Sequence, residues 1–327
     1  MALSSATRAH APSFFPIHPA MSLEAADSKS IDVKAISLFY ASTFALGLSI
    51  SFPLWSSGQG LRLPTARILL DLMMFAPAVG VLAVRIFLPN SVMPFAQTTG
   101  IGIGRWPQSL GYWFFAWFGL TAIGLATPFV GALLGVFRLD LVNFSGYRHL
   151  LLQRPDGDAA LARFPVQTLA LIQLGSLIVA PGLNAIFTFC EEWGWRGFLL
   201  PKLLPLGQWP ALILSGILWG LWYSPVILLG YDYSFHPKFG IILMTIFCVI
   251  FGVLLGWLRL ATGSIWPAAI GHGALNTVGG FTYVVADANQ TIDTAQLTIL
   301  GWTGWILPLL VILLLVLLKR LPVAESR

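Results

Sequence analysis

Three ionisable side chains crowd the end of an apolar run. Residues 166–200 read as one long hydrophobic segment closing on CEEWGWRGFLLP, which places Glu191, Glu192 and Arg196 at or just inside a bilayer boundary. Each charge near the middle of a spanning helix costs roughly 2.5–3.5 kcal/mol on insertion scales, so three together require partners or a use. Glu192 and Arg196 are four residues apart, share one helical face and can pair there. Glu191 points elsewhere, has no local cation, and is the carboxylate left free for chemistry.

Two further apolar segments carry polar or aromatic pairs one helical turn apart. SGILWGLWYSP presents Trp219 and Tyr223, and WPAAIGHGALNT presents His272 and Asn276. Of the histidines, His272 falls inside a strong apolar segment; His10 and His18 lie near the start, His149 and His236 in polar connections. A carboxylate, an imidazole and a carboxamide on facing helices are the parts hydrolysis needs. One activates water and the others hold the oxyanion as a carbonyl is attacked. Taken singly, each pair has a plainer reading: Glu192–Arg196 as a helix fastener, His272–Asn276 as an interhelical clamp, Trp219 and Tyr223 as packing aromatics. Asp71 reads as a helix-end or structural residue. The combination in one region is what points to chemistry.

The elements that must position these groups follow from composition. The chain has 327 residues, 57% hydrophobic and 9% charged, where soluble domains run near a quarter charged. It is therefore expected to be an all-α, polytopic membrane bundle. Apolar runs of about 20 residues predict about eight spans, near 35–55, 66–88, 110–137, 166–190, 208–230, 239–260, 264–286 and 298–318. Pro53, Pro77, Pro128 and Pro181 should kink or shorten some of them. Small-residue pairs at Gly131/Gly135, Gly216/Gly220 and Gly252/Gly256 read as close helix packing. Four regions result: a disordered tail over 1–34, spans and a polar loop over 35–165, a chemistry-bearing core over 166–286, and an anchoring span with tail over 287–327. Within the polar loop, residues 138–165 are expected to hold a short interfacial helix.

The tail lacks a signal-peptide pattern, and Met21 is an alternative start. Cys190 and Cys248 both fall in apolar spans, which argues against a disulfide framework, and no cysteine cluster has metal-ligand spacing. Lys319, Arg320 and Arg327 follow the last span while residues 287–297 hold Asp287 and Asp293 and no Lys or Arg. The positive-inside rule then places both termini in the cytoplasm, with the cell membrane as the expected location; the arginines at 138, 148, 154 and 163 run against that orientation. The net charge of +5 fits contact with anionic lipid rather than nucleic acid.

The chain resembles the CPBP family of intramembrane metalloproteases, which includes type II CAAX prenyl proteases and bacteriocin-immunity proteins. Glu191, Glu192 and Arg196 stand as its EExxxR motif, followed by GFLLP, and His272 with Asn276 as its HxxxN motif. The resemblance covers roughly 166–286. It implies an intramembrane endopeptidase acting on a peptide or protein substrate at or near the membrane surface, with a lipid-modified terminus expected by analogy with the prenyl proteases. The family's middle motif is FxxxH, but this chain has Trp219 and Tyr223 in that frame. A phenol with pKa near 10 is a poor general base at neutral pH, yet it can donate a hydrogen bond. Two readings follow. In one, Glu191 is the base toward water, Glu192 and Arg196 set its electrostatics, His272 and Asn276 form the oxyanion site, and Tyr223 is an auxiliary donor. In the other, the protein is a catalytically impaired member that binds peptides or acts as a chaperone. A proton-coupled transporter is a third, weaker alternative, because no second copy of the EExxxR segment is found. The resemblance also implies a divalent metal such as zinc, with Glu191 and His272 as candidate ligands. HExxH is absent and two ligands are too few for a closed site, so metal-free activation of water by glutamate stands equally.

Overall fold

The computed structural model describes residues 30–92 and 94–323; the tail expected over 1–34 lies almost wholly outside the described residues. Helices carry the whole architecture of that part, with a single isolated bridge between Leu139 and Ala286. Helix α1 (Val33–Ser56) is capped by Asp32, whose carboxylate accepts from the Ala35 N–H at 3.1 Å. The segment expected to span 66–88 breaks at Met74–Phe75 into α2 (Ala66–Met73) and α3 (Ala76–Phe87). Pro77 stands in the first turn of α3, where its missing N–H costs nothing. Helix α4 (Leu110–Leu133) contains a wider π turn at Phe115–Gly119. Two short helices, Ser145–Leu152 and Gly157–Arg163, occupy the polar connection where one was expected.

Helix α5 (Val166–Leu206) runs 41 residues, with Pro181 inside it, a π turn at Trp193–Leu199 and a tighter 3-10 end at Leu204–Leu206. It is followed by α6 (Gln208–Trp222), α7 (Pro237–Thr262), α8 (Trp266–Val278) and α9 (Trp302–Leu317). Six helical stretches among the described residues are long and apolar enough to cross a membrane: Val33–Ser56, Ala66–Phe87, Leu110–Leu133, Val166–Leu206, Pro237–Thr262 and Thr294–Leu317. The protein is thus an integral membrane helical bundle. The two segments that raise the sequence count to about eight, 208–230 and 264–286, form helices of only 15 and 13 residues. At 1.5 Å per residue neither reaches the roughly 30 Å of a hydrocarbon core. Helix α6 ends at Trp222 and a separate helical turn, Ser224–Ile227, follows with Pro225 in its first turn, where the missing proline N–H cannot continue the α6 ladder. Gly279-Gly280 interrupts the chain after α8.

Both short helices are packed inside the bundle. Helix α6 lies along α7, and α8 lies along α5. The α6–α7 approach depends on Gly216 and Gly220, where an added Cβ would come within 2.6 Å of Val249 Cα and 2.5 Å of Thr245 Cα. This is the close packing expected of the Gly216/Gly220 pair. Gly252 and Gly256 likewise face close neighbours. Gly135 does not pair with Gly131 across a helix interface: it sits past the end of α4 at φ +73° with open space around it.

Candidate active site

Helix α5 presents the site on two adjacent faces. Asn184, Thr188 and Glu192 recur every four residues and form one stripe directed at α8, and Arg196, four residues further on, turns to Trp219 of α6. The Asn184 amide donates to Thr277 Oγ1 at 2.7 Å, and the Thr188 hydroxyl donates to the Ala269 carbonyl at 2.7 Å. Glu192 Oε1 lies 2.9 Å from His272 Nδ1 and accepts from Arg196 Nη1 at 2.7 Å. The stripe is a polar zipper between two helices. It closes tightly because Gly273 follows His272; a Cβ there would meet the Pro181 carbonyl oxygen at 2.6 Å.

The Glu192–Arg196 pair expected from their spacing is present and fully buried, at 0% and 1% side-chain exposure. Arg196 also lies over the Trp219 ring, with its Cζ 4.2 Å from the centroid, an arrangement that favours a desolvated cation. Immediately after Glu192 the helix opens into a π turn, Trp193–Leu199. Such turns occur mostly as single-turn insertions and often at functional positions.

Glu191 is not without partners, as the sequence had suggested. Trp219 Nε1 donates to its Oε2 at 3.0 Å, and the Tyr223 hydroxyl lies 3.0 and 3.2 Å from its two oxygens. The reason is the one-turn spacing on α6, which aims the polar tips of both aromatics at one point on α5. His272 turns its Nδ1 to Glu192 rather than Glu191, and its ring meets the edge of Trp219 with centroids 5.2 Å apart. Glu192 therefore serves two partners, and Glu191 is held by α6.

A cavity of about 380 Å³ reaches this cluster and is lined by Glu191, Trp219, Tyr223, His272 and Asn276 among others. Glu191 itself has no exposed surface, whereas Tyr223 is half-buried and Asn276 is exposed at the cavity wall. Asp71 stands on this wall too, paired with Arg67 at 3.0 Å. His236 is held elsewhere, 2.9 Å from Asp293. Cys190 and Cys248 are free thiols. The sequence reading did not single out Asn184, Arg67, Tyr231 or Asp232, all of which line the cavity. Asn184 is legible from its place two turns before Glu192 on the same stripe; the others enter from a helix end and a loop, where no periodicity marks them.

The donor set does not fit a zinc site. Among the described residues no group of three or more His, Cys, Asp and Glu side chains is arranged to hold a metal ion. Glu192 is committed to Arg196 and His272, and the middle position offers a phenol in place of an imidazole. Catalytic zinc takes three protein ligands.

The cluster is a set of buried acidic and basic side chains that opens on a polar cavity inside a membrane bundle. Residues 169–278 match the family described as type II CAAX prenyl endopeptidase Rce1-like. The matched stretch runs from the first turn of α5 to the last residue of α8 and carries a CAAX-protease-type membrane endopeptidase fold. This agrees with the resemblance read from the EExxxR and HxxxN motifs. No curated protein and no solved structure matches the chain.

Proposed function

We propose that the protein is a glutamate-dependent membrane endopeptidase in which Glu191 is the general base toward water. The observation that carries this reading is the division of labour between adjacent carboxylates. Glu192 orients Arg196 and His272 through its Oε1 and lies behind the cavity lining, whereas Glu191 lines the cavity and receives Trp219 and Tyr223. Glu191 takes a proton from water, and the hydroxide formed attacks the peptide carbonyl. His272 Nε2–H and the Asn276 carboxamide donate to the oxyanion. As the C–N bond breaks, Glu191 returns the proton to the leaving amine. His272 donates through Nε2 only as imidazolium, since Nδ1 already faces Glu192. That state also balances charge: with His272 protonated, Glu191, Glu192, Arg196 and His272 sum to zero. The substrate is a peptide or protein segment at the membrane surface, with a lipid-modified terminus as the form the family match favours. Both termini are assigned to the cytoplasm from the basic residues after α9.

A second reading is favoured by one contact. The Tyr223 hydroxyl spans both oxygens of Glu191 and covers the carboxylate that water must reach. A member fixed in that state would bind peptides without cutting them. Tyr223→His separates the two. In the peptidase reading the wild type cleaves peptides in proteoliposomes and the variant cleaves as well or severalfold better. In the binding reading the wild type is inert, and the variant gains cleavage or stays inert while peptide binding persists. Acid–base assistance is worth about 10²–10⁴-fold, so the difference is measurable.

A further inference from the structure

The cavity holds an acidic group that this chemistry does not use. Asp232 sits in the connection between α6 and α7 and lines the cavity. The Tyr233 N–H donates to the Tyr231 carbonyl at 2.7 Å, closing a three-residue turn with Asp232 at its centre at φ 60°. Positive φ is uncommon outside glycine, although aspartate tolerates it better than most residues, and γ-turns of this hand are rare and strained.

The turn is pinned from several sides. The Thr294 hydroxyl donates to the Asp232 carbonyl, the Tyr231 N–H to the Val226 carbonyl at 3.1 Å, and the Tyr233 hydroxyl to the Leu300 carbonyl at 2.9 Å. Yet no described residue donates to the Asp232 carboxylate itself, and burial pushes its carboxyl up to about 7. The other charged groups nearby are engaged. Arg67 pairs with Asp71, and Glu191 receives Trp219 and Tyr223. Arg67, Asp71, Glu191, Tyr231 and Asp232 all line this one cavity. A partly buried carboxylate with no protein donor is costly to ionise, and a strained backbone that holds it at the cavity wall is the kind found at ligand clamps.

We propose that Asp232 is a specificity residue that receives the cationic side chain, Lys or Arg, of a peptide substrate lying in the cavity. A cationic side chain supplies the missing donors and restores the ionised carboxylate. With Asp232 ionised the wall carries Asp71, Glu191 and Asp232 against Arg67 and the His272 imidazolium, a negative excess that a basic side chain offsets. This role rests on the peptidase reading above.

The test uses the full-length protein in lipid nanodiscs with Glu191→Gln, so that bound peptide is not consumed. Peptide pairs carry lysine or its uncharged straight-chain counterpart, norleucine, at each successive position. At one position the lysine form should bind roughly 10- to 100-fold tighter, the range of a hydrogen bond to a charged group. Asp232→Asn, which tolerates the same φ, should collapse that ratio to about one, and Asp232→Glu should retain part of it. Equal affinity across every pair, or a preference that survives Asp232→Asn, overturns the proposal. The peptide comparison needs no change at position 232, so it stands even if that variant fails to fold. Equal binding of both forms with cleavage by the wild type removes the role of Asp232 and leaves the peptidase reading intact. No binding and no cleavage of any peptide removes both.

Discussion

Glu192 holds two partners on its Oε1 and is fully buried, and that makes it the most consequential side chain of the cluster. Removing it strands the Arg196 cation and releases the His272 ring at once. Breaking one side of a buried ion pair costs about 3–5 kcal/mol, so Glu192→Ala and Arg196→Ala should both lower thermal stability sharply in detergent. Glu191→Gln keeps an acceptor for one of its two aromatic donors and should cost less, while abolishing peptide cleavage. Equal loss of stability in all three variants would contradict this division. The residue types and their spacing made Glu191, Glu192, Arg196, His272 and Asn276 legible in the sequence as one set. Which carboxylate meets the imidazole was not legible. That depends on the rotation of α8 against α5, and the zipper through Asn184–Thr277 and Thr188–Ala269 fixes it. Nor does spacing on α6 reveal that Trp219 and Tyr223 converge on Glu191; two aromatics a turn apart look the same whether they pack or donate.

At the scale of elements, the site is the meeting of a long helix with two short ones. Helices α1, α5 and α7 were legible because each is a continuous apolar run of spanning length. Helices α6 and α8 were read as spans because apolar content is the same whether a segment faces lipid or protein. Their shortness comes from Pro225, whose missing N–H breaks the ladder at Tyr223, and from Gly279-Gly280, local interruptions inside a hydrophobic background. The seam between α8 and α5 is set by Gly273. Gly273→Val would drive a side chain into the Pro181 carbonyl oxygen, 2.6 Å from the ideal Cβ, and push α8 outward. A displacement near 1 Å at a reacting centre can cost about 10²-fold in rate. The expected outcome is a comparable loss of peptidase activity, while Gly175→Ala, with nothing within 4 Å of its Cβ, retains wild-type rates. Similar activities for the two variants would show that the seam does not position His272.

The whole molecule joins a matched region, α5 to α8, to helices that the family comparison does not cover, and the cavity draws on both. Arg67 and Asp71 come from α2, and Leu300 precedes α9. The polytopic class was legible from composition alone, whereas the contribution of α2 to the cavity was not, since it arises from contacts far apart in the chain. One dimension of the bundle has a physical consequence of its own. Helix α5 has 41 residues, roughly 60 Å at 1.5 Å per residue, about twice the thickness of a hydrocarbon core. Such a rod is mismatched to its bilayer. It must tilt or protrude, and the balance shifts with membrane thickness. Glu191 rides on that rod, so its depth, and with it the access of water and peptide, becomes a property of the lipid as well as of the protein. Cleavage rates in vesicles of short-, medium- and long-chain lipids should therefore pass through an optimum with acyl length, and a flat profile would mean that α5 is held at fixed height by its neighbours.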